Sequence, residues 1–177
     1  FPAGTVLFTE EGKQHRAGLW LVRGEAALAE HDRGGLEPLA VTPDEFAVAL
    51  TRERHTLKRS LTDPRLFSGI GNAYSDEILH AARLSPLQLS TNLDPAETAR
   101  LYAAVRSTLT RWTDRLRAEV GDGFPDKVTA FRDGMAVHGR FRQPCPDCGS
   151  SIQRIRYAAN EVNYCAPCQT GGRLLAD

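Results

Sequence analysis

The sequence lacks long apolar runs, an excess of either charge, and cysteine outside one C-terminal region. No apolar stretch approaches the roughly 18 residues that a membrane-spanning helix requires, and no secretory signal peptide is visible. The 22 basic and 22 acidic residues give a formal net charge of zero, so overall charge does not indicate a polyanionic partner. Local excesses of arginine at residues 52–65 and 100–117 are typical of solvated helix faces, and less often of nucleic-acid binding. These absences predict a protein of the reduced cytoplasm with no membrane segment.

The four cysteines form two C-x-x-C pairs separated by sixteen residues. Two such knuckles joined by a hairpin bring four thiolates to the corners of a tetrahedron, which is typical of zinc. Two disulfides are the alternative, but the missing secretory signal and the absence of any further cysteine favour zinc. Four protein ligands leave no open coordination position, so the sequence predicts one structural Zn²⁺. Its ligands are Cys145, Cys148, Cys165 and Cys168.

Two short apolar runs near the N-terminus, residues 6–8 and 18–22, are typical of strands, with Glu11-Gly12 as the turn between them. An isolated pair of strands cannot cover its own apolar face, so we expect both to belong to a sheet whose other strands are missing from this chain. The chain also begins with Phe1 instead of Met. We interpret it as a fragment or a processed product.

Capping signals predict several helices. Thr42-Pro43-Asp44-Glu45 and Asp94-Pro95-Ala96-Glu97 each combine an N-cap residue, a proline at the first helical position and a capping-box glutamate. After the second signal, apolar residues recur every three or four positions as far as Val120, which predicts an amphipathic helix with Trp112 in the core. A shorter helix is expected around residues 57–61. Asp63-Pro64 predicts a further turn of helix through Phe67.

The run Gly69-Ile70-Gly71-Asn72 precedes another helical stretch, residues 73–82. The glycines permit a sharp reversal, and Asn72 is a favoured N-cap for the helix. A helix start of this kind leaves backbone N–H groups unpaired at its positive end, which suits a phosphate. An ordinary turn between two helices is the simpler interpretation of the spacing alone.

Three motifs, in this order and spacing, resemble the bacterial formamidopyrimidine-DNA glycosylase and endonuclease VIII family. They are Lys58-x-x-Leu61, the run from Gly69 to Glu77, and a four-cysteine ribbon closing on Cys168-Gln169. The resemblance covers the chain from about residue 5 to residue 169. It implies a mainly α fold with small β parts. Residues 1–35 would be the last strands of an incomplete β-sandwich catalytic domain, residues 36–137 a helix-two-turns-helix DNA-binding domain, and residues 138–177 a zinc ribbon.

The same resemblance implies a role in bacterial base-excision repair. Family members recognise an oxidised base in double-stranded DNA, extrude it, cleave its N-glycosidic bond and cut the strand as AP lyases. Their nucleophile is an N-terminal proline followed directly by a glutamate, whereas here Pro2 precedes Ala3. We therefore assign no catalytic residue to this chain and expect it to be inactive on its own. We also expect it to be a monomer.

What the resemblance assigns to this chain is the contact with DNA. The family's phosphate-binding ribbon arginine, five residues before the third ligand cysteine, is replaced by Asn160, so Arg154 and Arg156 are candidates to supply its charge. Glu77 is expected to be a buried structural partner, since a carboxylate repels phosphates. The predicted DNA-binding residues are Lys58, Gly69, Gly71, Asn72, Arg154, Arg156 and Asn160.

Two alternatives remain open from the sequence. The chain is then either a non-catalytic DNA-binding zinc module that senses damaged or distorted DNA, or a zinc ribbon that serves protein–protein contact. In the second case the basic helix faces are incidental.

Overall fold

The computed structural model describes residues 2–8, 10, 17–123, 125, 129, 131–157 and 160–175, with the side chains of Tyr157 and Asn160 left out. The chain divides into two compact units, residues 1–32 and residues 33–177. None of the helices in the described part combines the length and the hydropathy that a bilayer crossing requires.

The described residues of the first unit contain one 3-10 helix, Glu25–His31, and no strand. The apolar runs 6–8 and 18–22, predicted as strands, therefore do not form strands here. The turn predicted at Glu11-Gly12 lies outside the described residues. Val6 and Leu7 remain 70% and 84% exposed, so this run lacks the covered apolar face that stabilises a sheet.

The second unit contains both predicted capping boxes. Helix α1 (Pro43–Thr51) starts at Thr42, whose side chain accepts the backbone N–H of Glu45 while the Glu45 carboxylate accepts that of Thr42. Asp94 and Glu97 make the same reciprocal pair at the start of α4 (Pro95–Val120). Each pair satisfies donors that a helix start otherwise leaves unpaired, which confirms both predicted starts.

Two shorter helices lie between α1 and α4 in the chain, α2 (Leu57–Thr62) and α3 (Asn72–Ala81). A 3-10 helix, Ser90–Asn92, precedes α4. The turn of helix predicted from Asp63 to Phe67 is present: the Asp63 carboxylate accepts the backbone N–H of Arg65, and the Asp63 carbonyl accepts that of Phe67 at 3.0 Å. Phe67 then pairs with Leu36 in a parallel bridge. The N-cap of α3 is Gly71, not Asn72 as predicted, and no side chain in the described part of the chain caps it.

The helical core forms where helices α1 to α4 pack together. The ring of Phe46 packs against those of Phe67 and Tyr102, with centroids 4.9 and 5.5 Å apart. From α4, Leu101 and Val105 are completely buried in the same cluster. Each such aliphatic side chain contributes about 1.5–3 kcal/mol when buried, so this core gives the helices a stability of their own.

The ribbon follows the helical core. Strands β1 (Gln153–Tyr157) and β2 (Asn160–Tyr164) pair antiparallel, with Ile155 opposite Val162. A short helix, α5 (Ala166–Thr170), carries the last cysteine. Strand β2 also packs on α3, so the ribbon and the helices belong to one unit.

Candidate nucleic-acid interface and metal centre

A groove of about 900 Å³ lies between the start of α3 and the ribbon. One wall is the turn Gly69–Asn72, and the opposite wall carries Arg154 and Glu161. The two walls meet directly, because the side-chain amide of Asn72 donates to the backbone carbonyl of Glu161 at 3.0 Å. The remaining lining residues are Ala73, Tyr74, Thr129, Phe131, His138, Gly139 and Phe141.

The wall on α3 presents backbone donors. Gly69 has a φ of +75°, in the left-handed region that glycine adopts without strain, and no described atom lies within 4 Å of the place that a Cβ would take at Gly69 or Gly71. The first backbone N–H groups of a helix have no acceptor within it. Here the first of them to donate to a preceding carbonyl is that of Ser75, which donates to the carbonyl of Gly71. The exposed start of α3 therefore offers N–H groups and a positive helix end to an anion.

Lys58 lies inside the protein rather than on the groove surface. Its ammonium donates to the carbonyl of Asn72 at 2.6 Å and to the carboxylate of Asp76 at 2.5 Å, and its side chain is 8% exposed. Burial lowers the pKa of Lys58, and the neighbouring Asp76 carboxylate works in the opposite direction. The direct phosphate contact expected for Lys58 is replaced here by a structural role, which fixes the backbone of the turn.

Asp76 joins four parts of the fold through one buried carboxylate. Oδ1 accepts from Lys58 of α2, while Oδ2 accepts from the Nδ1 position of His138 at 2.8 Å and from the backbone N–H of Asn163 in β2 at 3.2 Å. Asp76 itself belongs to α3, so this one group ties two helices, the connecting segment and the ribbon. Sequence reasoning missed it, because an aspartate within a helix resembles a solvated residue until its partners are known.

Glu77 fixes the segment that enters the ribbon. Its carboxylate accepts the backbone N–H groups of three successive residues, Ala136, Val137 and His138, at 2.7, 2.9 and 3.0 Å. Glu77 is buried. It is therefore a structural partner, as the sequence predicted, and it orders one edge of the groove.

The ribbon wall carries a partly neutralised arginine pair. Arg154 stacks on the ring of Phe141, with its guanidinium carbon 4.0 Å from the centroid, and contacts the Glu161 carboxylate at 3.3 Å. Arg156, more exposed, contacts the same carboxylate at 3.2 Å. Partial burial alone would raise the pKa of Glu161, but the Asn163 amide and the two guanidinium groups hold it below its ordinary value.

These three charged groups, two positive and one negative, give this part of the hairpin a net positive charge, with Arg156 outside the groove lining. Of the arginines, Arg154 lines the groove, so it is the better placed to meet a phosphate. Asn160, the position of the family's ribbon arginine, begins β2, and its side chain lies outside the described part of the structure.

The four cysteine sulfurs cluster at the base of the ribbon, all within 4.8 Å of one another. Cys145 and Cys168 are 4.0 Å apart and Cys148 and Cys165 are 3.4 Å apart, which is far longer than a disulfide and close to the roughly 3.8 Å between thiolates around a tetrahedral ion. Burial raises the pKa of the Cys165 thiol, and it raises that of Cys168 to about 11, whereas hydrogen bonds with Ser150 lower the pKa of Cys148 to about 6. Cys165 and Cys168 therefore need a cation to remain thiolates at neutral pH. The donor set therefore fits one metal ion.

Gln169, directly after the last cysteine, ties the cluster to the helices. Its side-chain oxygen accepts the backbone N–H of Cys165 at 2.8 Å, and its amide nitrogen donates to the carbonyl of Leu84, just past α3, at 2.9 Å. Gln169 is buried. The metal centre is thus fixed to the end of α3, whose start forms the groove wall.

Comparison with known proteins agrees with this architecture. The family model for the formamidopyrimidine-DNA glycosylase H2TH domain matches residues 35–116. An uncharacterized formamidopyrimidine-DNA glycosylase-like protein of Mycobacterium tuberculosis is 39% identical over 143 residues, which are 81% of this chain and 89% of that protein.

The chain is also similar to solved structures of Fpg proteins. The crystal structure of the MutM (Fpg) protein of Thermus thermophilus is 35% identical, with a TM-score of 0.62 over 76% of this chain. Lactococcus lactis Fpg, solved as a complex with DNA containing an abasic site, is 22% identical and shares the fold, with a TM-score of 0.67 over 82% of this chain. The chain spans 53% and 55% of these two structures. From the identity and coverage of the mycobacterial relative together with these matches, the chain belongs to the formamidopyrimidine-DNA glycosylase and endonuclease VIII family.

Proposed function

We propose that this chain is the DNA-binding portion of a base-excision-repair DNA glycosylase and AP lyase that acts on oxidised bases. The groove between α3 and the ribbon clamps the sugar-phosphate backbone of duplex DNA beside the damaged nucleotide. The observation that carries this proposal is the Asn72–Glu161 hydrogen bond, which joins the two walls of a single groove. The Lactococcus lactis relative in its complex with abasic-site DNA supports it.

The two walls contribute different kinds of contact. The start of α3 supplies backbone N–H groups and the Asn72 amide, which position a phosphate without reading the base sequence. Arg154 supplies a cation on the opposite wall. Extrusion of a base costs unstacking energy, and contacts from two walls to one stretch of backbone would offset part of that cost.

The metal centre is structural in this proposal. Zn²⁺ fits the four cysteine sulfurs, and when bound it supplies folding energy to the ribbon rather than chemistry. The ribbon in turn holds Arg154 and Glu161 in place on the groove wall.

We assign no catalytic residue to this chain. Pro2 is followed by Ala3 rather than by the glutamate that the family resemblance requires. We expect this chain to bind duplex DNA and to cleave nothing. Borohydride trapping on DNA with an oxidised base tests this: a covalent adduct with the chain would place a nucleophile within it.

Binding by phosphate contacts is expected to weaken steeply with salt. Arg154→Gln should lower affinity for all duplex sequences alike and reduce the slope of log Kd against log salt concentration by about 1, because one phosphate contact is lost. Fluorescence anisotropy with a duplex that carries an abasic-site analogue, between about 50 and 200 mM salt, measures both effects. For three or so contacts the parent chain should lose about 10- to 100-fold in affinity over that range.

The matched control is Arg111→Gln, which removes the same charge from an exposed position of α4 that does not line the groove. It should leave the slope close to that of the parent chain. A parent affinity that does not respond to salt would rule out phosphate clamping, and equal effects of the two substitutions would remove Arg154 from the interface.

A second candidate is suggested by the mycobacterial relative. The matched region makes up 89% of that protein, compared with about half of the two solved structures. In that case the chain is a non-catalytic DNA-binding module that senses damaged or distorted DNA. The two candidates differ in the ratio of affinities for a duplex with an abasic-site analogue and an undamaged duplex. A sensor should prefer the damaged duplex by at least about 10-fold, or about 1.4 kcal/mol, whereas a backbone clamp should bind both alike.

A further inference from the structure

His80 contacts the sulfur of Cys145 without belonging to the four-cysteine cluster. It lies in the last turn of α3, its side chain is 5% exposed, and its Nε2 is 3.3 Å from the sulfur of Cys145. Cys145 is itself buried. Binding of a metal by four thiolates does not require this histidine, and the sequence pattern did not single it out.

The geometry selects the sulfur as the partner of His80. The same Nε2 lies 3.9 Å from a carboxylate oxygen of Asp147, which is beyond the range of an N–H···O hydrogen bond. Asp147 is instead shared with the guanidinium of Arg83 at 3.7 Å. A sulfur atom is larger than oxygen, so 3.3 Å is a normal separation for an N–H group that donates to it.

We propose that His80 is a positioning residue for the metal centre, whose Nε2–H donates to the Cys145 thiolate. The inference rests on the proposed Zn²⁺ site. Four thiolates around one Zn²⁺ leave two excess negative charges, and a buried N–H donor offsets part of this charge at one sulfur. Outer partners of metal ligands typically change metal affinity by about 10- to 100-fold.

This contact gives α3 two tasks at its two ends. Its first turn forms the groove wall, and its last turn, roughly 14 Å away at about 1.5 Å per residue, touches a metal ligand. Gln169 makes a second connection between the cysteine cluster and the segment after α3. The metal centre and the phosphate-binding turn are therefore held by one rigid element.

The test uses the zinc-loaded chain and two substitutions. His80→Phe keeps a ring of similar size and removes the donor, whereas His80→Gln keeps an N–H group. Competition with a chromogenic chelator should show zinc affinity about 10- to 100-fold weaker for His80→Phe, with faster release, and His80→Gln closer to the parent chain. Arg83→Gln is the matched control, since it breaks the neighbouring contact with Asp147 without touching the thiolate, and it should stay within about 2-fold of the parent.

Substitution with Co²⁺ supplies a readout that a packing defect does not move. Loss of the N–H···S bond should shift the thiolate-to-cobalt charge-transfer band of His80→Phe to lower energy, with the intensity of four thiolates kept. Unchanged affinity and band energy in His80→Phe would overturn the inference, as would a parent spectrum with only three thiolates, which would make His80 a direct ligand. A parent chain that binds no zinc would refute the proposed metal instead.

Discussion

Removal of the metal is expected to unfold residues 140–169 and leave the helices largely intact. The helical core around Phe46 has its own buried cluster, whereas the ribbon has only a few buried side chains besides the cysteines in its described part. Structural zinc supplies about 10–16 kcal/mol to small zinc-binding peptides, which is more than so small a core provides. Because the ribbon forms one wall of the groove, DNA affinity should fall by at least about 100-fold, or about 2.7 kcal/mol.

Hydrogen exchange followed by mass spectrometry measures the first effect, and anisotropy the second. After chelation, amides in β1 and β2 should exchange freely while those of α4 remain protected. Added Zn²⁺ should restore both properties, and added Mg²⁺, which prefers oxygen ligands, should restore neither. A ribbon that stays protected after verified metal removal would contradict the structural role of the metal.

Asp76→Ala is expected to be the most damaging single substitution outside the metal centre. It leaves the ammonium of Lys58 buried without a counter-charge, and it removes the acceptor of the Asn163 backbone N–H. Loss of one partner of a buried ion pair typically costs about 3–5 kcal/mol. Urea denaturation should therefore show a free energy of unfolding lower by about that amount.

The double substitution Lys58→Met with Asp76→Leu separates the ion pair from simple packing. Removing both charges at once leaves no unpaired ion, so its cost should be smaller than that of Asp76→Ala alone. Asp114→Ala, at an exposed position of α4, is the matched control and should stay within about 0.5 kcal/mol of the parent. If Asp76→Ala cost less than about 1 kcal/mol, Asp76 would not be the junction described here.

Features set by neighbouring residues in the chain could be predicted from the sequence. The capping boxes at Thr42 and Asp94 fix their helix starts through contacts three residues apart, so the pattern alone identifies them. The spacing of the cysteines likewise determined the cluster, since each knuckle is local and a hairpin joins them. The role of Glu77 followed from charge, because a carboxylate does not face phosphates.

Features that depend on distant partners could not be predicted in the same way. Lys58 was expected at the phosphate, but Asp76, eighteen positions away, draws its ammonium into the interior. Asn72 was expected to cap α3, but its side chain reaches Glu161 of the ribbon, 89 positions away, and Gly71 takes the cap position. In each case a tertiary contact competes with a local preference and prevails.

The N-terminal unit departs from prediction for a related reason. Residues 6–8 and 18–22 have the composition of strands, yet a strand is stabilised by its neighbours in a sheet and by the apolar face that the sheet covers. In the described part of this unit Leu7 and Leu21 are exposed, so local composition has nothing to reinforce it. Helices α1 and α4 differ because their hydrogen bonds are internal and their apolar faces meet in one core.

The proposed clamp requires the start of α3 and the ribbon to bind one stretch of DNA backbone together. NMR titration of the isotope-labelled, zinc-loaded chain with a short duplex tests this requirement most directly. We expect the amides of residues 71–74 and the guanidinium of Arg154 to shift together, at the same DNA concentration. Shifts confined to one wall of the groove, or located on another face of the protein, would contradict it.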